Sequence, residues 1–177
     1  MTITYQQLAY ERRCQISALK KSGCSQREIA EIIGKGHSGA LVAIVELVTK
    51  HTVSAQVNSK SATDVTTATI SVLNPFKDIV HTITADKGKE FSHHEKIIQA
   101  LSAEVYFAHP YSSWEQGLNE HTDGLLRQYF PKNTDFKKVG QIEVKRALMR
   151  LNSRPRKDLD FKTSALIMGE HRAALAA

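Results

Sequence analysis

The run Ala40-Leu-Val-Ala-Ile-Val-Glu-Leu-Val-Thr49, followed after Lys50 alone by His51-Thr-Val-Ser-Ala-Gln-Val57, sets the fold class. The first run is apolar at both odd and even positions, which is how a strand buried on both sheet faces reads. The second is β-rich, and the two together predict a hairpin at the centre of a sheet. Working forward, Ser61-Ala-Thr-Asp64 resembles a capping box, and Val65, Ala68, Val72 and Phe76 recur at helical spacing. These predict a helix from Ala62 to about Leu73, limited by Pro75. A strand His81–Ala85 ending at Asp86, a helix Glu95–Leu101, a strand Val105–His109 and a loop Pro110–Gly117 follow. A hairpin succeeded by alternating strands and helices argues an α/β domain, a mixed sheet flanked by helices.

Beyond the loop, Leu118–Phe130 should be helical, with Leu118, Thr122, Leu125 and Tyr129 on one stripe and Glu120, Gly124 and Arg127 on another. A last helix, Ile142–Asn152, packs through Val144, Leu148 and Leu151, and Asn152-Ser-Arg-Pro-Arg-Lys157 leads to a tail. Working backward, Leu8, Ile16 and Leu19, then Ile29, Ile32 and Ile33, suggest two short helices broken at Ser22-Gly23. Ser25 with Glu28 makes a second capping box, so Gln26 to Ile33 should start as a helix. This is the front of a helix-turn-helix unit, whose next helix would read DNA. The residues that follow, Gly34-Lys-Gly-His-Ser-Gly39, hold three glycines and will not form that helix. Residues 1–33 therefore read as a truncated helix-turn-helix remnant, 34–157 as the core and 158–177 as a C-terminal tail.

A chain of 177 residues with 41% hydrophobic content can bury one good core and a small appendage, but not two full domains. No stretch approaches the roughly 18 uncharged apolar residues of a membrane span, and the start Met1-Thr-Ile-Thr-Tyr-Gln-Gln7 has no basic segment before an apolar one. The expectation is a soluble, cytoplasmic protein without a membrane partner. Cys14 and Cys24 match neither a zinc set nor a disulfide framework, and the eight histidines do not recur at zinc-finger spacing. The net charge of +6 fits a phosphate-bearing partner. Its distribution says more: Arg127 to Arg172 holds twelve Lys or Arg against five Asp or Glu, including the cluster Arg154-Pro-Arg-Lys157. By itself such a run reads equally as a solvated helical face.

Two carboxylates carry the chemistry. Asp86 stands at the end of a buried strand, where ligands of α/β sheets bind, although an aspartate before Gly88 is also an ordinary turn residue. Glu120 lies on a helix, with 33 residues between it and Asp86, and most helical glutamates simply face solvent. A strand-end carboxylate and a helix carboxylate can converge on magnesium, which prefers carboxylate oxygen. Two such ions about 3.5 to 4 Å apart stabilise the attacking and leaving oxygens of phosphodiester transfer.

Ile33-Gly-Lys-Gly-His-Ser-Gly-Ala-Leu-Val42, His81-Thr-Ile-Thr-Ala-Asp-Lys-Gly-Lys-Glu-Phe91 and Tyr106-Phe-Ala-His-Pro-Tyr-Ser-Ser-Trp-Glu-Gln-Gly-Leu-Asn-Glu120 resemble bacterial transposases of the insertion sequence thirty group. Leu125-Leu-Arg-Gln-Tyr-Phe-Pro-Lys132 and Leu151-Asn-Ser-Arg-Pro-Arg-Lys157 extend the resemblance over most of the chain from Ile33 onward. It implies a ribonuclease H-like integrase core of the DDE class, acting in DNA transposition, recombination and integration. In that family two aspartates and a glutamate bind two Mg2+ (or Mn2+) ions. The resemblance places the second aspartate at Asp86 and the glutamate at Glu120, as catalytic residues and metal ligands. Arg127 matches a basic residue that contacts DNA and shares a helix face with Glu120. Lys132, Arg154, Arg156 and Lys157 are the other DNA-binding candidates, with transposon ends as the expected partner. Trp114 lies in the matching loop, to stack on a base or to anchor the loop in the core.

Two positions depart from the pattern. Lys87 replaces an asparagine and sets a positive charge beside Asp86. The first aspartate should stand two residues before Ile32-Ile33-Gly34, and Ala30 is there instead. Adjacent strand residues face opposite sides, so Glu31 does not replace it, and Glu46, Asp64 and Asp78 belong to a neighbouring strand, a helix cap and a loop. The missing recognition helix and the missing aspartate coincide, as an in-frame internal deletion would produce. Ile29–Gly34 must then finish a helix or supply the first strand, and a strand or frayed helix end is favoured. The reading is a transposase relic with impaired cleavage and strand transfer. The alternatives are an enzyme with a rearranged metal site and a noncatalytic DNA-binding or dimerising regulator, alone or paired with intact transposase.

Overall fold

The computed structural model describes residues 25–29, 39–85, 88–107 and 121–176. Cys14, Cys24, Trp114, the first expected helix and the glycine-rich segment through residue 38 lie outside the described residues. Strands β1 (Ser25–Ile29), β2 (Ala40–Glu46), β3 (Thr52–Val57), β4 (Val80–Ala85) and β5 (Glu104–Phe107) form one sheet in the order β3-β2-β1-β4-β5. The β1–β2 and β2–β3 pairs are antiparallel, and β1–β4 and β4–β5 are parallel. The expected hairpin is β2–β3, with every residue of β2 buried, but it lies at one side of the sheet rather than its centre: β3 is the outermost strand, because β1 pairs with the other side of β2 and takes the middle place. The expected strand over 105–109 is described as Glu104–Phe107.

The helix expected from Gln26 is corrected by the structure. Ser25–Ile29 is a strand, and it occupies the middle of the sheet, paired on one side with β2 and on the other with β4. The capping signature is a local preference of about 1 kcal/mol. Against it stand two buried strands whose facing N–H and C=O groups would otherwise lack partners, a larger cost. Segment 25–29, read from sequence with the helical front, thus completes the core sheet.

Alternate residues of β2 feed two cores. Ala40, Val42 and Ile44 pack with Leu73, Val80, Ile83, Phe91, Ile97 and Leu101 on one face; Leu41 and Ala43 pack with Leu126, Phe136, Val144, Ala147 and Leu151 on the other. This is period-two alternation serving both sides of a central strand. The first face is covered by α1 (Ala62–Leu73), started by Ser61, whose hydroxyl accepts the Asp64 N–H at 3.1 Å, and by α2 (His94–Leu101). Pro75 ends α1 in a 3-10 turn, Asn74–Ile79. The second face is covered by α3 (residues 121–126) and α4 (Gln141–Asn152).

Side-chain amides fasten the outer edge of β3. Asn152 accepts the Thr52 N–H at 2.9 Å and donates to the Thr52 carbonyl at 2.8 Å, completing a strand-like pair. At the other end of β3 the Gln56 amide donates to the carbonyls of Phe136 and, at 2.9 Å, Val139. Gly39 enters β2 at φ +74°, and a Cβ there would meet the Val57 carbonyl oxygen at 3.2 Å. The stretch read as a tail folds: α5 (Ser164–Ala176) buries Met168 and sets the Arg172 guanidinium 5.3 Å from the Phe76 ring centroid.

Candidate functional site

β1 and β4 run in parallel, so their C-terminal ends reach the same edge of the sheet. β4 stops at Ala85, one residue before Asp86, and α3 is described from the residue after Glu120. Asp86, Lys87 and Glu120 themselves lie outside the described residues. In the β1–β4 register Glu28 stands opposite Thr84. Two positions further along the two strand sequences come Ala30 and Asp86.

The remaining acids weighed as substitutes are engaged elsewhere. Glu46 is fully buried, and its carboxylate accepts the N–H groups of Val48 at 3.1 Å and Thr49 at 2.6 Å, shaping the β2–β3 turn. It pairs in register with Arg27, in the middle of β1 rather than at its end. Asp64 sits in the first turn of α1 and accepts the Ser59 hydroxyl at 2.7 Å, and Asp78 is exposed in the 3-10 turn. Among the described residues no three His, Cys, Asp or Glu side chains group to hold a metal ion.

The basic candidates fall into two sets. Arg127 follows α3 and its Nε donates to Asp123 Oδ2 at 2.6 Å, an i,i+4 pair whose aspartate is mostly buried. Asp123 was not singled out by sequence, although its four-residue spacing from Arg127 was the available signal. The helix ends at residue 126, and residues 127–129 form a turn in which Tyr129 N–H reaches the Leu126 carbonyl at 3.0 Å. The buried stripe is accordingly Thr122, Asp123, Leu126 and Phe130, one position round from the expected Leu125 and Tyr129. Arg154 joins this turn: its guanidinium donates to Gln128 Oε1 at 3.2 Å and Tyr129 Oη at 3.0 Å and lies over the Tyr129 ring. The fold therefore brings Arg154 to Gln128 and Tyr129, in the turn that begins at Arg127.

Lys132 and Lys157 are exposed on separate turns. Arg156 is half-buried, and burial lowers its pKa below the usual arginine range, a shift opposed by Asp158 and reinforced by Arg154. Its backbone N–H donates to the Lys162 carbonyl at 3.0 Å, tying the turn to the segment that leads into α5.

Three antiparallel strands followed by two parallel ones, with helices on both faces, define an integrase-like, ribonuclease H-type α/β core. The catalytic core domain of bovine immunodeficiency virus (BIV) integrase superposes on 86% of this chain and 98% of its own, with a TM-score of 0.65 and 15% identity. The HTLV-2 integrase catalytic core domain, solved in complex with magnesium, covers 80% of this chain and 94% of its own at a TM-score of 0.61. No family model matches the chain. The chain is a relative of the insertion-sequence transposases, those of the insertion sequence thirty group: it is 45% identical over 136 residues to the transposase for insertion sequence element IS4351 of Bacteroides fragilis, and 32% identical over 134 residues to transposase InsI for element IS30A of Escherichia coli K12. These matches cover 77% and 75% of this chain but 42% and 35% of the relatives, so the chain spans less than half their length. No helix among the described residues is long and apolar enough to cross a membrane.

Proposed function

We propose that this chain is a transposase-derived core that holds DNA through its basic C-terminal third and is impaired in DNA cleavage and strand transfer. The observation that carries the reading is the β1–β4 pairing. β1 pairs in parallel with β4, the strand that precedes Asp86 in sequence, and the next residue after β1 is Ala30, with no carboxylate to offer. Asp86 and Glu120 are the catalytic candidates and the ligands for Mg2+ or Mn2+. That donor set is one carboxylate short of the three the family uses, and Lys87 adds a positive charge beside it. The residues present do not fit a complete two-ion site, and loss of a catalytic carboxylate costs about a thousandfold or more in rate.

An internal deletion accounts for the missing recognition helix and the missing first aspartate together. Ser25–Ile29 bears a helix-start signature and lies as a central strand, as expected of a junction between two formerly separate pieces. The completed sheet also favours a second role, in which a folded but defective core binds transposon ends or intact transposase subunits and acts as a regulator. Co-purification with the intact transposase tests that role.

The experiment for the main reading is Mg2+- or Mn2+-dependent nicking of a labelled transposon-end duplex. The expected result is salt-sensitive binding without nicking, and nicking gained in Ala30→Asp. Nicking by the unaltered chain that Glu120→Ala abolishes overturns the impairment.

A further inference from the structure

On the second face of the sheet, α4 and the turns at residues 129–139 enclose a cleft of about 400 Å³ whose lining includes Tyr129, Phe130, Val139, Glu143, Arg146 and Arg150. Arg146 and Arg150 are exposed and four residues apart, so they stand about 6 Å apart along one line of the helix. Neither has a carboxylate within ion-pair distance among the described residues. Glu143, the acid in the lining, turns its Oε2 to the Gly140 N–H at 3.0 Å, closing the start of α4. Arg154, just beyond the end of α4, lies over Tyr129, which also lines the cleft.

From this geometry we infer that the α4 cleft is a second DNA site, a seat for the phosphate backbone built by Arg146 and Arg150 and extended by Arg154. Two unpaired guanidiniums on a groove lip bring bidentate donors at fixed spacing to phosphate oxygens. Arg127 differs, because Asp123 already neutralises it. The cleft is open and its free charges are guanidiniums, so contacts to phosphate rather than to base edges dominate and binding there is indifferent to sequence. The inference rests on the DNA-binding reading above.

The test is titration of a fluorescent duplex with the full chain at several salt concentrations. Arg146→Ala with Arg150→Ala should weaken binding at least tenfold at low salt and flatten the slope of log K against log salt by about 0.9 for each phosphate no longer neutralised. Arg146→Lys with Arg150→Lys should restore most of the slope. Lys77→Ala with Lys96→Ala removes the same charge from exposed positions on the other sheet face. An equal loss from that pair, or no change in the arginine pair while Arg127→Ala or Arg154→Ala weakens binding, overturns the cleft and leaves the DNA reading intact. Absence of binding by the unaltered chain overturns both. The far-ultraviolet circular dichroism of the two double-alanine variants should match the parent, since Arg146, Arg150, Lys77 and Lys96 are all exposed.

Discussion

Asn152 shows how much one side chain can hold. Its amide satisfies both the N–H and the carbonyl of Thr52, a residue 1% exposed, so neither group has water to fall back on. Asn152→Ala should therefore cost about 2 to 3 kcal/mol, more than one ordinary hydrogen bond, because two buried backbone groups are stranded. Urea denaturation with an unchanged slope and a lowered midpoint is the expected result. Sequence placed Asn152 at the end of α4 but gave no hint of this bond, because its partner is 100 positions away.

At the level of elements, β1 is where local and long-range preference collide, and its conformation can be tested by substitutions that a helix and a strand tolerate differently. In a helix capped by Ser25, Gln26 would be the first helical residue, a position where proline is welcome. In the central strand, proline at the position of Gln26, which pairs with Thr82 of β4, takes an N–H donor out of the ladder. Gln26→Pro should thus lower stability by at least about 2 kcal/mol, while Ser25→Ala, which would cost about 1 kcal/mol as a lost cap, should change little. The opposite pattern in thermal unfolding would restore the helix. The remaining elements were more legible. Ala40–Glu46 announces itself by apolarity on both faces, and Ala62–Leu73 by its cap and spacing, because in both the local signal and the packing agree. The failure at β1 arises because nothing within Ser25–Ile29 encodes the two strands that claim it.

For the whole molecule, the α/β class was readable from the order of elements, whereas the joining of distant parts was not. The neutralisation of Arg127 by buried Asp123, the approach of Arg154 to Tyr129 and the cleft along α4 are products of packing across the second sheet face. The folding of 164–176 also escaped a sequence reading that ended the helices at Asn152. Met168, 3% exposed, is the anchor of that last helix. Met168→Ala should cost about 2 to 4 kcal/mol by removing buried apolar volume, seen as a lowered thermal midpoint. A change below about 0.5 kcal/mol would mean that α5 contributes nothing to the core.

The amide clasps on β3 carry one more consequence. With Asn152 holding the Thr52 end of that margin and Gln56 gripping the loop at the other, the outermost strand is pinned to the helix and loop that flank it. A foreign strand pairing at that end would have to displace the Asn152 amide from Thr52 first, which opposes strand addition there.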